Sequence, residues 1–119
     1  MAPDHVFHAD DVDVQPEQVR EQHAAGAIQL IDVRESYEWE AGRIDGARHI
    51  ELERLAANAE SIERDKPVVF YCRLGARSGM AANAFRRAGY DAYSMDGGIT
   101  AWDDRGLPLD PDDGQVAEH

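Results

Sequence analysis

Residues 67–89 read PVVFYCRLGARSGMAANAFRRAG and contain three consecutive patterns. The run after Pro67 is continuously apolar, which is typical of a parallel strand buried on both faces. Residues 78–88 are rich in alanine and precede Gly89, so they are predicted to form a helix that begins near Arg77 or Ser78. Cys72 lies between the two segments. The stretch therefore predicts a strand, a short loop that begins with a cysteine, and a helix.

The segments on either side alternate in the same way. Short apolar or extended runs predict strands at residues 12–14, 27–33 and 91–95 and an extended piece from Gly46, and helical patterns occupy residues 16–25, 36–41, 51–64 and 99–104. This alternation predicts an α/β fold with a mostly parallel sheet between layers of helices. Ligands of such sheets bind outside the carboxyl ends of the strands, which indicates two places: the segment from Asp32 to Arg34, and Cys72.

Composition limits the classes of function. The chain has 119 residues, 43% hydrophobic and 30% charged, so we expect one globular domain, over residues 12–109, with acidic and weakly ordered ends at 1–11 and 110–119. Its net charge of −12 disfavours nucleic acid and anionic membranes as partners. We see no apolar run long enough to span a membrane and no secretory signal, so a cytoplasmic location is expected. The oligomeric state cannot be read from the sequence.

The only cysteine lies in a basic window. Residues 71–90 contain four arginines (73, 77, 86 and 87) and no acid, whereas the other 99 residues carry a net charge of −16. A thiol at a helix start faces unpaired backbone N–H groups and the positive end of the helix dipole, and both stabilise a thiolate. Most lone cysteines are simply small buried hydrophobes. The position of Cys72 favours a nucleophile instead.

Four motifs resemble those of the rhodanese-like domain family of single-domain sulfurtransferases. They are IDVRESYEWEAGRIDGARHI (31–50), CRLGARS (72–78), GGITAW (97–102) and GLP (106–108). Each motif is weak alone, but their order and spacing make a strong match from about Val12 to Leu109. The resemblance implies a three-layer α/β/α fold around a central, mostly parallel five-stranded sheet.

The resemblance also implies a reaction. Cys72 would take a sulfane sulfur from a small anionic donor such as thiosulfate and pass the resulting persulfide sulfur to cyanide, a thiol or a protein, without a metal or an organic cofactor. The loop residues would hold the donor and the persulfide: Arg73, Leu74, Gly75, Ala76, Arg77 and Ser78.

Other residues of these motifs are expected to support the site. Asp32 and Arg34 match the family's Asp-Val-Arg sequence and are interpreted as braces of the loop, with Arg34 expected to pair with Glu38. Arg43 and Asp45 stand where the family usually has His and Pro, which changes the charge near the site.

Three alternatives stay open. Phosphatases and arsenate reductases on a related scaffold use a loop one residue longer, C-x5-R, where this chain has Cys72-x4-Arg77. Rhodanese-like domains can also serve as regulatory binding modules or as persulfide carriers for a partner protein. A peroxide-sensing thiol is disfavoured, because no second cysteine is present to resolve a sulfenic acid.

Overall fold

The computed structural model describes residues 6–8 and 10–119. Part of the acidic stretch 1–11, namely residues 1–5 and 9, therefore lies outside the described residues. Within that stretch Phe7 is buried, and its ring lies 4.8 Å from that of Tyr93. In the described part of the chain, no helix is both long enough and apolar enough to cross a bilayer.

Strands and helices alternate along the described chain. The strands are β1 (Asp13–Val14), β2 (Gln29–Asp32), β3 (Arg48–His49), β4 (Val68–Tyr71) and β5 (Ala92–Met95). The α helices are α1 (Pro16–Ala24), α2 (Ser36–Ala41), α3 (Ala76–Arg87) and α4 (Gly98–Asp104). Two short 3-10 helices, Leu52–Arg54 and Ala56–Ser61, precede β4.

The five strands form one sheet in the order β1-β5-β4-β2-β3, and each neighbouring pair is parallel. This confirms the predicted α/β fold with a mostly parallel five-stranded sheet. β4 lies at the centre, and all four of its residues are buried. The carboxyl ends of β2 and β4 lie side by side, with Asp32 in register with Tyr71. The two places indicated by the sequence therefore meet at one edge of the sheet.

Alternate residues of the central strand pack into different layers. Phe70 and Cys72 lie in the core cluster that contains Ala82 and Phe85 of α3. Tyr71 lies in the opposite cluster, with residues of α1 and α4. Successive side chains of a strand point to opposite faces, so Cys72 is directed to the α3 side.

Two predicted helices differ in detail. Residues 51–64 form the two 3-10 helices, with i→i+3 hydrogen bonds such as that from the Leu55 N–H to the Leu52 carbonyl (3.2 Å). The three-residue spacing of Leu52 and Leu55 fits one face of an α helix as well as a 3-10 helix, so the apolar pattern does not distinguish the two. Helix α3 begins at Ala76, earlier than predicted, because Gly75 adopts a left-handed conformation (φ 116°) and ends the loop there.

A buried ion pair joins the end of β2 to α2. Arg34 donates from Nε and Nη2 to the Asp32 carboxylate at 2.7–3.0 Å and from Nη2 to the Gly42 carbonyl at 2.8 Å. Both side chains of the pair are fully buried. Burial lowers the pKa of Arg34, but the hydrogen bonds and charge of Asp32, together with the charge of Glu38 and the nearby Tyr71, leave the net pKa raised. The expected pairing of Arg34 with Glu38 is wrong, since Arg34 bonds instead to Asp32, which precedes it by two residues.

Residues 110–119 lie along α2. The Gln115 N–H donates to the Ala41 carbonyl at 2.8 Å, and Asp110 pairs with Arg43 through backbone and side chain. At its end, His119 Nε2 lies 3.5 Å from Glu35 Oε2. These contacts place the segment beside the carboxyl edge of the sheet. The weak order expected from its composition stays a prediction about its behaviour in solution.

We predict that Arg34→Met lowers the free energy of unfolding by about 3 kcal/mol, because Asp32 is left as a buried charge without its partner. Urea denaturation at pH 7 measures this, with the exposed Arg20→Met as the matched control. Adding Asp32→Asn to Arg34→Met should restore part of the loss. A loss no larger than that of Arg20→Met would contradict this assignment.

Candidate active site

The peptide that carries Cys72 is fixed by the start of α4. The Ile99 N–H donates to the Cys72 carbonyl at 2.9 Å, and the Thr100 N–H donates to the Arg73 carbonyl at 3.1 Å. A side chain at Gly98 would collide with both carbonyls, so this close approach requires glycine. The two carbonyl groups therefore point toward α4, and the chain turns away from β4 directly after the cysteine.

The sulfur of Cys72 faces hydrogen-bond donors. The Gly75 N–H donates to Sγ at 3.0 Å, and the Ser78 N–H donates to it at 3.5 Å. Both donors lie at the N-terminus of α3, where backbone N–H groups have no partner within the helix. The residue is only 1% exposed. The loop thus offers a sulfur anion two fixed dipoles in a site largely shielded from water.

A serine pair extends this arrangement into the sheet. Ser78 Oγ lies 3.4 Å from Cys72 Sγ and 2.7 Å from Ser94 Oγ of β5. Both serines are fully buried. Ser94 was not singled out from the sequence. The available signal is a serine in the otherwise hydrophobic strand AYSM, which neighbours β4.

Arg77 is tied to Glu38 of α2. Its Nη1 and Nη2 donate to the two carboxylate oxygens at 2.8 and 3.0 Å, and the Glu38 side chain is fully buried. The hydrogen bonds that Arg77 donates to the Glu38 carboxylate raise the pKa of Arg77. Burial raises the pKa of Glu38, but hydrogen bonds from Arg77 and the Glu35 amide lower it more, and the net pKa is lowered. The charge of Arg77 is therefore balanced, which the sequence did not reveal.

Arg73 has a different environment. Among the described residues it forms no ion pair, and its buried Nε has no hydrogen-bond partner. It lines a cavity of about 140 Å³ together with Cys72, Leu74, Ala76, Arg77 and His119. Leu74 is 58% exposed at the rim of this cavity. Arg73 is thus the loop cation whose charge is free to meet an anion beside the thiol.

The structure brings the predicted site residues together in two groups. Cys72 and the loop from Arg73 to Ser78 form the cavity and its hydrogen-bond donors, whereas Asp32 and Arg34 lie behind it as a structural pair. His119, which also lines the cavity, was missed because its segment was predicted to be weakly ordered. In the described part of the chain no three His, Cys, Asp or Glu side chains are grouped so as to hold a metal ion.

Sequence comparisons place this geometry among known proteins. The family model described as "Rhodanese-like domain" matches residues 15–105. The chain is 38% identical to the thiosulfate sulfurtransferase GlpE of Pseudomonas aeruginosa over 90 residues. That alignment covers 75% of this chain and 81% of GlpE. It is 47% identical over 75 residues to the uncharacterized protein YqhL of Bacillus subtilis, covering 62% of this chain and 60% of YqhL.

Comparison with solved structures shows that the fold is also that of rhodanese-related proteins. A rhodanese-related protein from Thermoplasma volcanium superposes with a TM-score of 0.76 at 28% sequence identity, over 82% of this chain and 95% of that one. The family model covers most of the strands and helices described above, together with the whole Cys72 loop. The chain therefore belongs to the rhodanese-like domain family.

Proposed function

We propose that this protein is a sulfurtransferase that carries sulfane sulfur as a persulfide on Cys72. The observation that carries the proposal is the pair of N–H groups, from Gly75 and Ser78, directed at the buried Sγ beside an open cavity. Hydrogen-bond donors at a helix start stabilise a thiolate, which is the nucleophilic form of cysteine. The same donors suit the terminal sulfur of a persulfide, which is also anionic.

In the first half-reaction the Cys72 thiolate attacks the outer sulfur of thiosulfate. A bond forms between the two sulfur atoms, and the S–S bond of thiosulfate breaks, with its electron pair leaving on sulfite. The products are a Cys72 persulfide anion and sulfite, so atoms and charge balance. Covalent catalysis of this kind divides the transfer into two steps and gives ping-pong kinetics.

In the second half-reaction an acceptor attacks the outer sulfur of the persulfide. With cyanide, a carbon–sulfur bond forms, the persulfide bond breaks, and its electron pair returns to Cys72 as the thiolate. The product is thiocyanate, and the enzyme is regenerated without a redox cofactor. A thiol or a protein thiol can replace cyanide by the same electron movement.

The two loop arginines take separate parts in this proposal. Arg73 has no ion pair among the described residues, so its positive charge is available to attract the anionic donor and to offset charge on the departing sulfite. Arg77 is held by Glu38 and acts as a positioning residue that fixes α2 against the loop. A charge-assisted hydrogen bond to the donor is stronger than a neutral one.

The size of the loop supports sulfur transfer over phosphate chemistry. Helix α3 begins four residues after Cys72, and two loop N–H groups already converge on the sulfur atom itself. A phosphate ester would need a wider ring of donors for its several oxygens. The cavity of about 140 Å³ is correspondingly small.

The proposal includes a cytoplasmic setting and room for a protein partner. A reducing compartment keeps a lone thiol free of disulfides. Leu74 is 58% exposed next to the cavity, which gives a protein donor or acceptor an apolar contact close to Cys72. A persulfide relay between proteins would use the same chemistry.

We predict that Cys72→Ser folds normally and releases no thiocyanate above background from thiosulfate and cyanide. Serine is nearly isosteric and its hydroxyl can accept the same hydrogen bonds, but an alcohol does not form the persulfide. Circular dichroism and thermal melting check the fold, and a colorimetric thiocyanate assay checks turnover. Undiminished turnover in this variant would contradict the proposal.

We predict that Arg73→Gln lowers kcat/KM for thiosulfate by about tenfold, through loss of a hydrogen bond between charged groups. The matched control is Arg87→Gln at the exposed end of α3, which removes the same charge outside the cavity. Steady-state kinetics at varied thiosulfate measures both variants. Equal effects of the two substitutions would show that only net charge matters and that Arg73 does not contact the donor.

A further inference from the structure

A second cavity adjoins the one that contains Cys72. It has a volume of about 250 Å³, and it shares Arg77 and His119 with the Cys72 cavity. Its remaining walls are two apolar side chains and three carboxylates, and we call these five residues the acidic cleft: Val33, Leu52, Glu35, Glu51 and Glu53. The two cavities are therefore parts of one depression at the carboxyl edge of the sheet.

The charges of the two cavities are opposite. In the acidic cleft, Glu53 is exposed and has no ion pair within residues 6–8 and 10–119, whereas Glu51 has a 3.6 Å contact with the exposed Arg54 and Glu35 has a 3.5 Å contact with His119. The positive charge of Arg77 does not compensate them, since Glu38 already balances it. The Cys72 cavity is instead lined by Arg73, a cation with no ion pair in the part of the chain that the structure describes.

This separation of charge suits two substrates of different character. An anionic donor is attracted to Arg73 and repelled by the three carboxylates of the acidic cleft. A group that enters by way of the acidic cleft is selected for positive charge and for some apolar surface, because Val33 and Leu52 form its apolar wall. The volume is below the roughly 300–1,000 Å³ of sites that enclose drug-sized ligands, so a small molecule is favoured.

We propose that the acidic cleft is the acceptor subsite and that its ligand is a small thiol that bears an ammonium group. This inference rests on the proposed function, because it names the acceptor for the persulfide of Cys72. The ammonium group lies against the carboxylates of Glu51 and Glu53, and the short carbon chain contacts Leu52. The thiol is then directed past Arg77 toward the sulfur on Cys72.

The transfer step is balanced without any further reagent. The thiolate of the acceptor attacks the outer sulfur of the Cys72 persulfide, and a new S–S bond forms. The original S–S bond breaks, and its electron pair returns to Cys72 as the thiolate. The acceptor leaves as its own persulfide, so no net oxidation or reduction takes place.

The kinetic test uses three forms of the full chain. Each is loaded with sulfur from thiosulfate, freed of excess donor, and discharged in single turnovers by cysteamine, a cationic thiol, or by 3-mercaptopropionate, an anionic one. The forms are the native chain, the variant Glu51→Gln/Glu53→Gln, and the control Glu21→Gln/Asp103→Asn, which removes two exposed charges on α1 and α4. Comparing ratios between forms cancels the intrinsic reactivities of the two thiols.

We expect the ratio of the cysteamine rate to the 3-mercaptopropionate rate to fall about fivefold in Glu51→Gln/Glu53→Gln, because exposed ion pairs contribute only modestly. In the control the ratio should be unchanged, and raising the salt concentration should reduce the preference of the native chain. A ratio unaffected by Glu51→Gln/Glu53→Gln, or reduced equally in the control, would overturn the subsite.

A binding measurement separates this inference from the proposed function. The unreactive analogues 2-(methylthio)ethylamine and 3-(methylthio)propionate are titrated into the unmodified protein, and amide chemical shifts are followed by NMR. Shifts at residues 51–53 with the amine alone support the acidic cleft, and shifts with neither or with both analogues overturn it. If Cys72 takes up no sulfur, the proposed function fails, and the titration still decides the ligand preference of the acidic cleft.

Discussion

The site depends on the direction of the backbone around Cys72. The Gly75 and Ser78 N–H groups point at Sγ, while the Cys72 carbonyl points away from the cavity toward the Ile99 N–H of α4. Two helix starts thus meet at one residue, one giving donors to the sulfur and the other holding the peptide. Gly98 permits the approach of α4, since any side chain there would collide with this peptide.

Ion pairs give the three arginines near the site different roles. Arg34 is buried with Asp32 and braces the end of β2, and Arg77 is held by Glu38 and links α2 to the loop. Both pairs are fixed by complementary charge, so neither cation is free for substrate. Arg73, without such a partner among the described residues, keeps its charge for the cavity. Of the two loop arginines in the basic window, only Arg73 therefore offers an unpaired positive charge to the cavity.

Patterns local to the chain predicted the fold and placed Cys72 in a loop between a buried strand and a helix. The apolar run of β4, the alanine-rich α3 and the loop between them are decided by neighbouring residues, and the structure confirms the parallel sheet that they imply. The partner of Glu38 was predicted wrongly, as Arg34, and the partner of Ser78 was not predicted. Those contacts join residues 39 and 16 positions apart, and which of several nearby charges or hydroxyls meet depends on packing between layers.

The structure also differs from the predictions in the bounds of α3 and in the type of helix at residues 51–64. The start of α3 is decided by the left-handed backbone of Gly75, and the single helix predicted over 51–64 is two 3-10 helices, Leu52–Arg54 and Ala56–Ser61. The contacts of residues 110–119 with α2 place His119 at the cavity, and the acidic composition of that segment gave no sign of them. Composition describes a segment by itself, and contacts of this kind depend on the surface beside it.

Intact-protein mass spectrometry tests the central claim most directly. The protein is measured before incubation with thiosulfate, after it, and again after addition of cyanide. After incubation with thiosulfate, we expect the protein to gain the mass of one sulfur atom. Peptide mapping should locate this sulfur on Cys72, and cyanide should remove it. A thiol that is shown to be free and reactive, yet gains no sulfur from thiosulfate or from a persulfide donor, would contradict it.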